Sequence, residues 1–231
     1  MLDAKTDLSV QVHPDDTYAQ EKEQQPFGKT ECWYIIDCEE DSEIVFGHNA
    51  SSPEEFQKMV NEGRWEDLLL KVKVKPGNFF YVPSGTIHAI GGGILILESQ
   101  QSSDITYRVY DYDRMDAQGN KRDLHIRQSI EVTQYPHQDP TLTYNIKQEG
   151  QAFFTELCRE EYFTVSKWDI RGQSKTITKD WPFLLASVIK GSAELVIGDQ
   201  TFSLLSFACL SPPEICRKLF ISKRVNSPKP S

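Results

Sequence analysis

The sequence predicts a mainly β protein of two domains with a few short helices. Three observations carry that expectation. Short segments alternate apolar and polar residues with a period of two. Turn residues, chiefly Pro and Gly, separate them at close intervals, the spacing of a sandwich or barrel. The 231 residues are 39% apolar, with aromatics at 11% of the chain, which is enough to build one large core or two small ones.

The first strand falls at residues 8–13. Leu8, Val10 and Val12 share one face, and Ser9, Gln11 and His13 share the other. Pro14-Asp15-Asp16 stops it. Strands follow at 31–36 and 43–46. A helix then starts at Ser52, a good N-cap, with Pro53 in its first position and Glu55 completing a capping box. Phe56, Met59 and Val60 lie on its apolar face, and Gly63 stops it. A second short helix is expected at 65–70. Strands return at 71–75, Phe79–Val82, 86–90, 94–98 and 105–110, with Pro76-Gly77, Pro83-Ser84-Gly85 and Gly91-Gly92-Gly93 between them. The glycine triplet reads as a hairpin turn, since it lacks the Lys-Ser/Thr and following helix of a phosphate loop. One more helix is expected at 124–132.

Residues 133–151 turn polar and contain Pro136 and Pro140, so a domain boundary is expected there, giving domains of 1–140 and 141–231. Strands at 162–170, 183–189, 193–197 and 201–205, with turns at Gly191-Ser192 and Gly198-Asp199, read as the meander of a small barrel. The last fifteen residues hold Arg217, Lys218, Lys223, Arg224 and Lys229 and no acidic residue, which reads as a frayed tail.

The formal net charge is -9, a poor balance for a nucleic-acid backbone or an anionic membrane, so neither is an expected partner. No apolar run approaches the roughly 18–20 residues of a membrane span. The first twenty residues carry four aspartates and no signal-peptide pattern. Cys32, Cys38, Cys158, Cys209 and Cys216 form no C-x-x-C pair and read as thiols in a cytoplasmic protein.

Gln11 and His13, two apart on a strand, point the same way and can reach one metal. Glu31 can bring a carboxylate, and His88 sits in a turn-rich frame that can hold an imidazole rigidly. Two His, one Glu and one Gln amide offer nitrogen and oxygen donors without thiolate, a set suited to Zn, Mn, Fe or Co. Arg108 shares a strand face with Thr106 and Tyr110, while Ile105, Tyr107 and Val109 face the core. Beside a metal it suits an anion such as phosphate. The plainer reading of Arg108 is a surface ion pair with Asp111 or Asp113. His48, His125 and His137 read as solvated or capping residues.

Four blocks in order carry a resemblance. They are residues 8–16 (Leu-Ser-Val-Gln-Val-His-Pro-Asp-Asp), 28–34 (Gly-Lys-Thr-Glu-Cys-Trp-Tyr), 82–89 (Val-Pro-Ser-Gly-Thr-Ile-His-Ala) and 100–114, which includes Asp-Ile-Thr-Tyr-Arg. The sequence resembles the type I mannose-6-phosphate isomerases, most closely their Gram-positive bacterial form, over roughly residues 1 to 200. The resemblance implies cupin, jelly-roll-like domains and one Zn2+ per chain held by Gln11, His13, Glu31 and His88. It implies an active-site arginine at Arg108 and pocket positions at Lys29 and Glu98. The implied partner is a phosphorylated hexose, and the implied reaction interconverts mannose 6-phosphate and fructose 6-phosphate. Glu98 is the candidate base, with Arg108 and Lys29 as grips on anion and hydroxyl. Against the family pattern the chain reads as shortened at its start and diverged after Leu204. Two rival readings follow, a non-catalytic or truncated sugar-phosphate-binding cupin and a metal-dependent cupin oxygenase.

Overall fold

Strand alternation sorts the first part of the chain into two sheets with an apolar layer on each side of one of them. The computed structural model describes residues 1–172, 177–178, 185–197, 199–205, 209–210 and 218–222. The chain divides into two compact units, Met1–Leu142 and Thr143–Ser231.

The first unit contains, in chain order, β1 (Leu2–Ala4), β2 (Val10–Val12), α1 (Asp16–Lys22), β3 (Glu31–Cys38), β4 (Glu43–His48), α2 (Pro53–Asn61) and α3 (Trp65–Leu68). It continues with β5 (Leu69–Lys73), β6 (Phe79–Val82), β7 (His88–Ile90), β8 (Ile94–Gln100), β9 (Tyr107–Tyr110) and α4 (Ile126–Val132). One sheet has the order β1-β8-β3-β6 and the other β5-β4-β7-β2-β9. Neighbouring strands are antiparallel.

The two faces of the five-stranded sheet bury different residues. Val10, Val12, Val45, Ala89, Tyr107 and Val109 pack with Phe56 and Met59 of α2 and Leu68 of α3. Ile44, Phe46 and Ile90 point the other way and pack with Trp33, Ile35, Ile94 and Ile96 of the four-stranded sheet. That second cluster is the inter-sheet core. By strict alternation Gln11 and Arg108 leave the helix-covered face, and His88 and Glu31 share faces with Ile90 and Trp33. The inner faces therefore change along the strands from aliphatic to polar, and the polar end is where the chemistry gathers.

Several sequence expectations need correction. Gly91-Gly92-Gly93 is not a hairpin turn, because it joins β7 of one sheet to β8 of the other. Residues 14–16 do end β2, but they also start a helix: Asp15 caps α1 by accepting from the Tyr18 amide at 2.8 Å. The Glu55 carboxylate does not complete a box with Ser52. It accepts from the Ser51 backbone N–H at 2.8 Å and from the Ser51 hydroxyl, two donors where Ser52 would offer one. His48 and His137 are not solvated. His48 is buried against Phe56 and Tyr135, and the His137 ring lies edge-on to Phe46. His125 stands at the N-cap of α4 without a capping bond, and its Nδ1 instead accepts from the Arg108 backbone N–H at 3.1 Å.

The second unit holds an antiparallel sheet of β10 (Asn145–Glu149), β11 (Ala152–Arg159) and β12 (Thr164–Ile170). Polar residues expected as linker thus include a strand, β10, which is exposed along almost its whole length. A second sheet orders β13 (Ile177–Thr178), β18 (Lys218–Ser222), β15 (Ser192–Ile197) and β16 (Gln200–Leu205). The pair β14 (Ala186–Ser187) and β17 (Cys209–Leu210) completes the described strands. Because β15 lies between β16 and β18, the order is not a plain meander. Leu195 and Leu204 are buried there beside Trp168 and Ile170. Phe183, Gly198, Cys216, Arg217, Lys223, Arg224 and Lys229, and the side chains of Cys209 and Lys218, lie outside the described residues.

Candidate metal centre

Three ligand-type side chains converge, two from strands of the two sheets and one from the residue that follows a third strand. His13 follows β2 directly, and its carbonyl accepts from the Gly85 N–H at 2.9 Å, tying it to the turn before β7. His88 opens β7 and lies opposite Gln11 in the sheet register. Glu31 opens β3 and is paired on both sides, to Val82 and to Gln100. His13, Glu31 and His88 are each no more than 2% exposed. One ligand atom from each lies within 4.8 Å of the others. Glu31 Oε2 is 3.5 Å from His13 Nε2, and Glu31 Oε1 is 3.5 Å from His88 Nε2.

The outer contacts aim these atoms. His13 Nδ1–H donates to the Ile105 carbonyl and His88 Nδ1–H to the Thr86 carbonyl, both at 2.8 Å. With Nδ1 protonated, each imidazole turns its Nε2 lone pair toward Glu31. Trp33 Nε1–H donates to Glu31 Oε1 at 2.9 Å and fixes the carboxylate plane. Among the described residues His13 Nε2 and Glu31 Oε2 are buried without a hydrogen-bond partner, with Lys29 Nζ 3.3 Å from Oε2 as an ion pair. Orphaned buried acceptors are costly, and here a lone pair and a carboxylate oxygen face one point. A divalent cation fits that donor set. Gln11 Nε2 is 3.4 Å from His88 Nε2, so the amide stands at the edge of the same group.

The electrostatics agree with a cation site. Burial opposes the Glu31 charge, but the neighbouring His13, His88 and Lys29 outweigh it and hold the carboxyl well below the usual range. Burial pulls His88 down to about 4 against the attraction of Glu31. His88 is thus a neutral imidazole at pH 7, and its contact with Glu31 is not an ion pair. Lys29 is buried, with Nζ 3.3 Å from Glu31 Oε2 and 4.0 Å from Glu98 Oε1. Glu98 is half-buried on the inner face of β8, and burial and Glu31 raise its pKa to about 7 against Lys29.

Arg108 lies in register with Gln11 on β9 and alternates with buried Tyr107 and Val109. Its Nη1 donates to the Asp123 carbonyl at 2.9 Å, and its Nε is buried without a partner. It pairs with neither expected aspartate. Asp111 is held by Arg114 and Arg122, and Asp113 by Lys121. The structure therefore brings Gln11, His13, Glu31, His88, Lys29 and Glu98 into one cluster and sets Arg108 beside Gln11. Trp33 was missed by the sequence reading, although its spacing of two from Glu31 on a strand was the available signal.

The chain is similar to known proteins over most of its length. Residues 154–206 match the family model described as mannose-6-phosphate isomerase, cupin domain. Mannose-6-phosphate isomerase ManA of Bacillus subtilis strain 168 is 52% identical over 202 residues, covering 87% of this chain and 64% of that protein. Mannose-6-phosphate isomerase of Streptococcus mutans is 50% identical over 204 residues, covering 88% and 64%. The chain thus spans just under two thirds of the length of these relatives. The crystal structure of the Bacillus subtilis mannose 6-phosphate isomerase superposes with a TM-score of 0.91 at 45% identity, covering 96% of this chain and 70% of that one. Phosphomannose isomerase of Salmonella typhimurium, at 15% identity and a TM-score of 0.72, shares the fold.

Proposed function

Because the chain belongs to the mannose-6-phosphate isomerase family, we propose that it is a metal-dependent aldose–ketose isomerase acting on mannose 6-phosphate and fructose 6-phosphate. In this reading His13, Glu31 and His88, with the Gln11 amide turned oxygen-first, hold one Zn2+ per chain. The chemistry zinc supplies when bound is Lewis acidity toward a sugar oxygen, which acidifies the neighbouring C–H.

The remaining work falls to the chain's own residues. Glu98 takes a proton from one of the two carbons, C1 or C2, and returns it to the other. Its half-buried place on the inner face of β8, 4.0 Å from Lys29, supports that role. Lys29 balances the two carboxylates and offers an N–H to a substrate hydroxyl. Arg108 grips the anionic end, because its planar fork matches phosphate and its Nε–H has no acceptor among the described residues. Phosphate held there keeps the reacting carbons in register. The cupin oxygenase reading is weaker, since a cationic Arg and Lys around the donor set fit an anionic sugar. A cytoplasmic setting fits Cys38, whose thiol forms no disulfide.

The observation that supports the reading most is the convergence of three buried ligand-type side chains, with His13 Nε2 and Glu31 Oε2 left without a hydrogen bond among the described residues and aimed at one point. The test is a coupled assay of the purified chain with metal analysis on the same sample. Turnover of mannose 6-phosphate with one metal per chain is expected. A metal-loaded chain that binds fructose 6-phosphate without turnover would instead make it the non-catalytic sugar-phosphate-binding cupin.

A further inference from the structure

Lys29 and Glu31 enter the cluster on a segment whose backbone is caught in an unusual way. Residues 28–30 precede β3 and have no strand partner of their own. Yet three successive backbone N–H groups each find a separate anchor. Gly28 N–H donates to Asp16 Oδ1 at 2.7 Å. Lys29 N–H donates to the Pro14 carbonyl at 3.0 Å. Thr30 N–H donates to Gln101 Oε1 at 2.7 Å. Gln101 also donates from Nε2 to the same Asp16 Oδ1 at 3.0 Å and from its backbone N–H to the Thr30 carbonyl at 3.0 Å. A carboxylate from α1 and an amide from the end of β8 therefore close one ring around residues 28–30.

Gly28 shows how tight the ring is. A Cβ there would lie 2.3 Å from the Asp15 carbonyl carbon and 2.4 Å from the Pro14 oxygen, so only glycine lets the two backbones meet. Pro14 and Asp15 directly follow His13. The ring thus fixes the distance between the His13 segment of the five-stranded sheet and the Lys29–Glu31 segment of the four-stranded one. Gln101 is 6% exposed and touches neither His13 nor His88 by any hydrogen bond described, so its buried polar groups are spent on the ring.

We infer that Asp16 and Gln101 are positioning residues that hold Lys29 and Glu31 in reach of the two histidines. The inference rests on the metal reading above and is tested apart from turnover. Amide hydrogen exchange at Gly28, Lys29 and Thr30 reports the ring itself. Co2+ titration, followed by its absorption bands, reports affinity and ligand geometry. Gln101→Glu keeps an acceptor for the Thr30 N–H but sets a second carboxylate against Asp16 in place of a donor. It should speed exchange at all three amides, weaken Co2+ binding by tenfold or more and alter the cobalt bands. Asp16→Ala should do the same. Asp16→Asn should restore most of both, because its amide oxygen still accepts from Gly28 and Gln101. Faster exchange with unchanged cobalt affinity and bands would overturn the positioning role and leave only a structural one. Unchanged exchange in Gln101→Glu would overturn the ring. If Asp16→Ala does not fold, the Gln101→Glu and Asp16→Asn pair carries the same test. A wild-type chain that takes up no Co2+ would sink the metal reading instead, and the ring would then stand or fall on the exchange data.

Discussion

Arg108 keeps a buried Nε–H without an acceptor among the described residues while its Nη1 is tied to the Asp123 carbonyl. An arginine in that state is held in place and still has bonding capacity toward an incoming anion. The neighbouring charges do not compete, since Asp111 is already shared by Arg114 and Arg122. A charge-assisted bond of this kind contributes about 1.5–3 kcal/mol. Arg108→Ala should therefore lower isomerase kcat/KM by about tenfold to a hundredfold, at about 1.4 kcal/mol per power of ten. Metal content should not change, because arginine is no ligand. Arg108→Lys should recover only part of the loss, since an ammonium lacks the planar fork. Steady-state kinetics with metal analysis on both variants decides it, and an alanine variant with wild-type kcat/KM removes Arg108 from the site. The face of Arg108 was legible from alternation with Tyr107 and Val109. Its bond to the Asp123 carbonyl was not, because nothing in spacing says where a loop carbonyl will stand.

The helix α2 shows what a local signal can and cannot specify. Ser52, Pro53 and the buried Phe56 and Met59 made the helix readable, and Gly63 ends it with a φ of 66°. There the Gly63 N–H reaches the Val60 carbonyl and the Arg64 N–H the Met59 carbonyl, both at 3.0 Å, the paired bonds of a glycine-terminated helix. Ser52→Ala removes the bond to the Glu55 N–H and should cost about 1 kcal/mol, seen as a melting midpoint lower by about 2–4 °C. A variant that melts with the wild type would mean that Glu55 and Ser51 carry the cap alone. By contrast α1 was illegible, because Tyr18 and Ala19 are its only apolar residues and form no stripe. The edge strand β10 was hidden for the same reason, with Ile146 its single apolar residue. His48, at the end of β4, ties that strand to the segment before the Pro136 turn through Nε2–H to the Gln134 carbonyl at 3.0 Å. Burial, aided by His137, holds its pKa below the ordinary histidine value. The unfolded chain therefore binds the His48 proton more readily than the folded one. Its contribution is complete above about pH 6.5 and is lost as pH falls below that. Melting curves from pH 8 to pH 5 should show a shallower acid decline in His48→Gln than in the wild type. Parallel declines would assign the acid sensitivity to other groups.

Across the whole molecule, every residue assigned to the chemistry belongs to the unit Met1–Leu142. The inner faces of its two sheets carry aliphatic residues at one end and Gln11, His88, Glu31, Glu98 and Arg108 at the other, so the core that holds the sheets together also sets the ligand spacing. Single strands were readable one at a time, but the pairing of β3 with β8 was not, and only that pairing places Glu98 beside Lys29 and Glu31. Alternation gives a face and leaves the partner strand open, which is why the resemblance had to supply what spacing could not. The same division makes a prediction about the joint between the units. The turn at Tyr135-Pro136 and the half-buried His137 belong to the first unit's packing, and β10 begins the ladder of the second at Asn145. Between them the backbone of residues 138–144 has no strand or helix, and Tyr144 is 47% exposed. Chymotrypsin under native conditions should therefore cut after Tyr144 before other sites. The N-terminal fragment should keep its metal, because no proposed ligand lies beyond the cut. Mass spectrometry of the early fragments, with metal analysis after gel filtration, gives the answer. First cleavage inside 1–132 would place the weakest protection within the first unit, and a fragment that loses its metal on separation would make the second unit necessary to the centre.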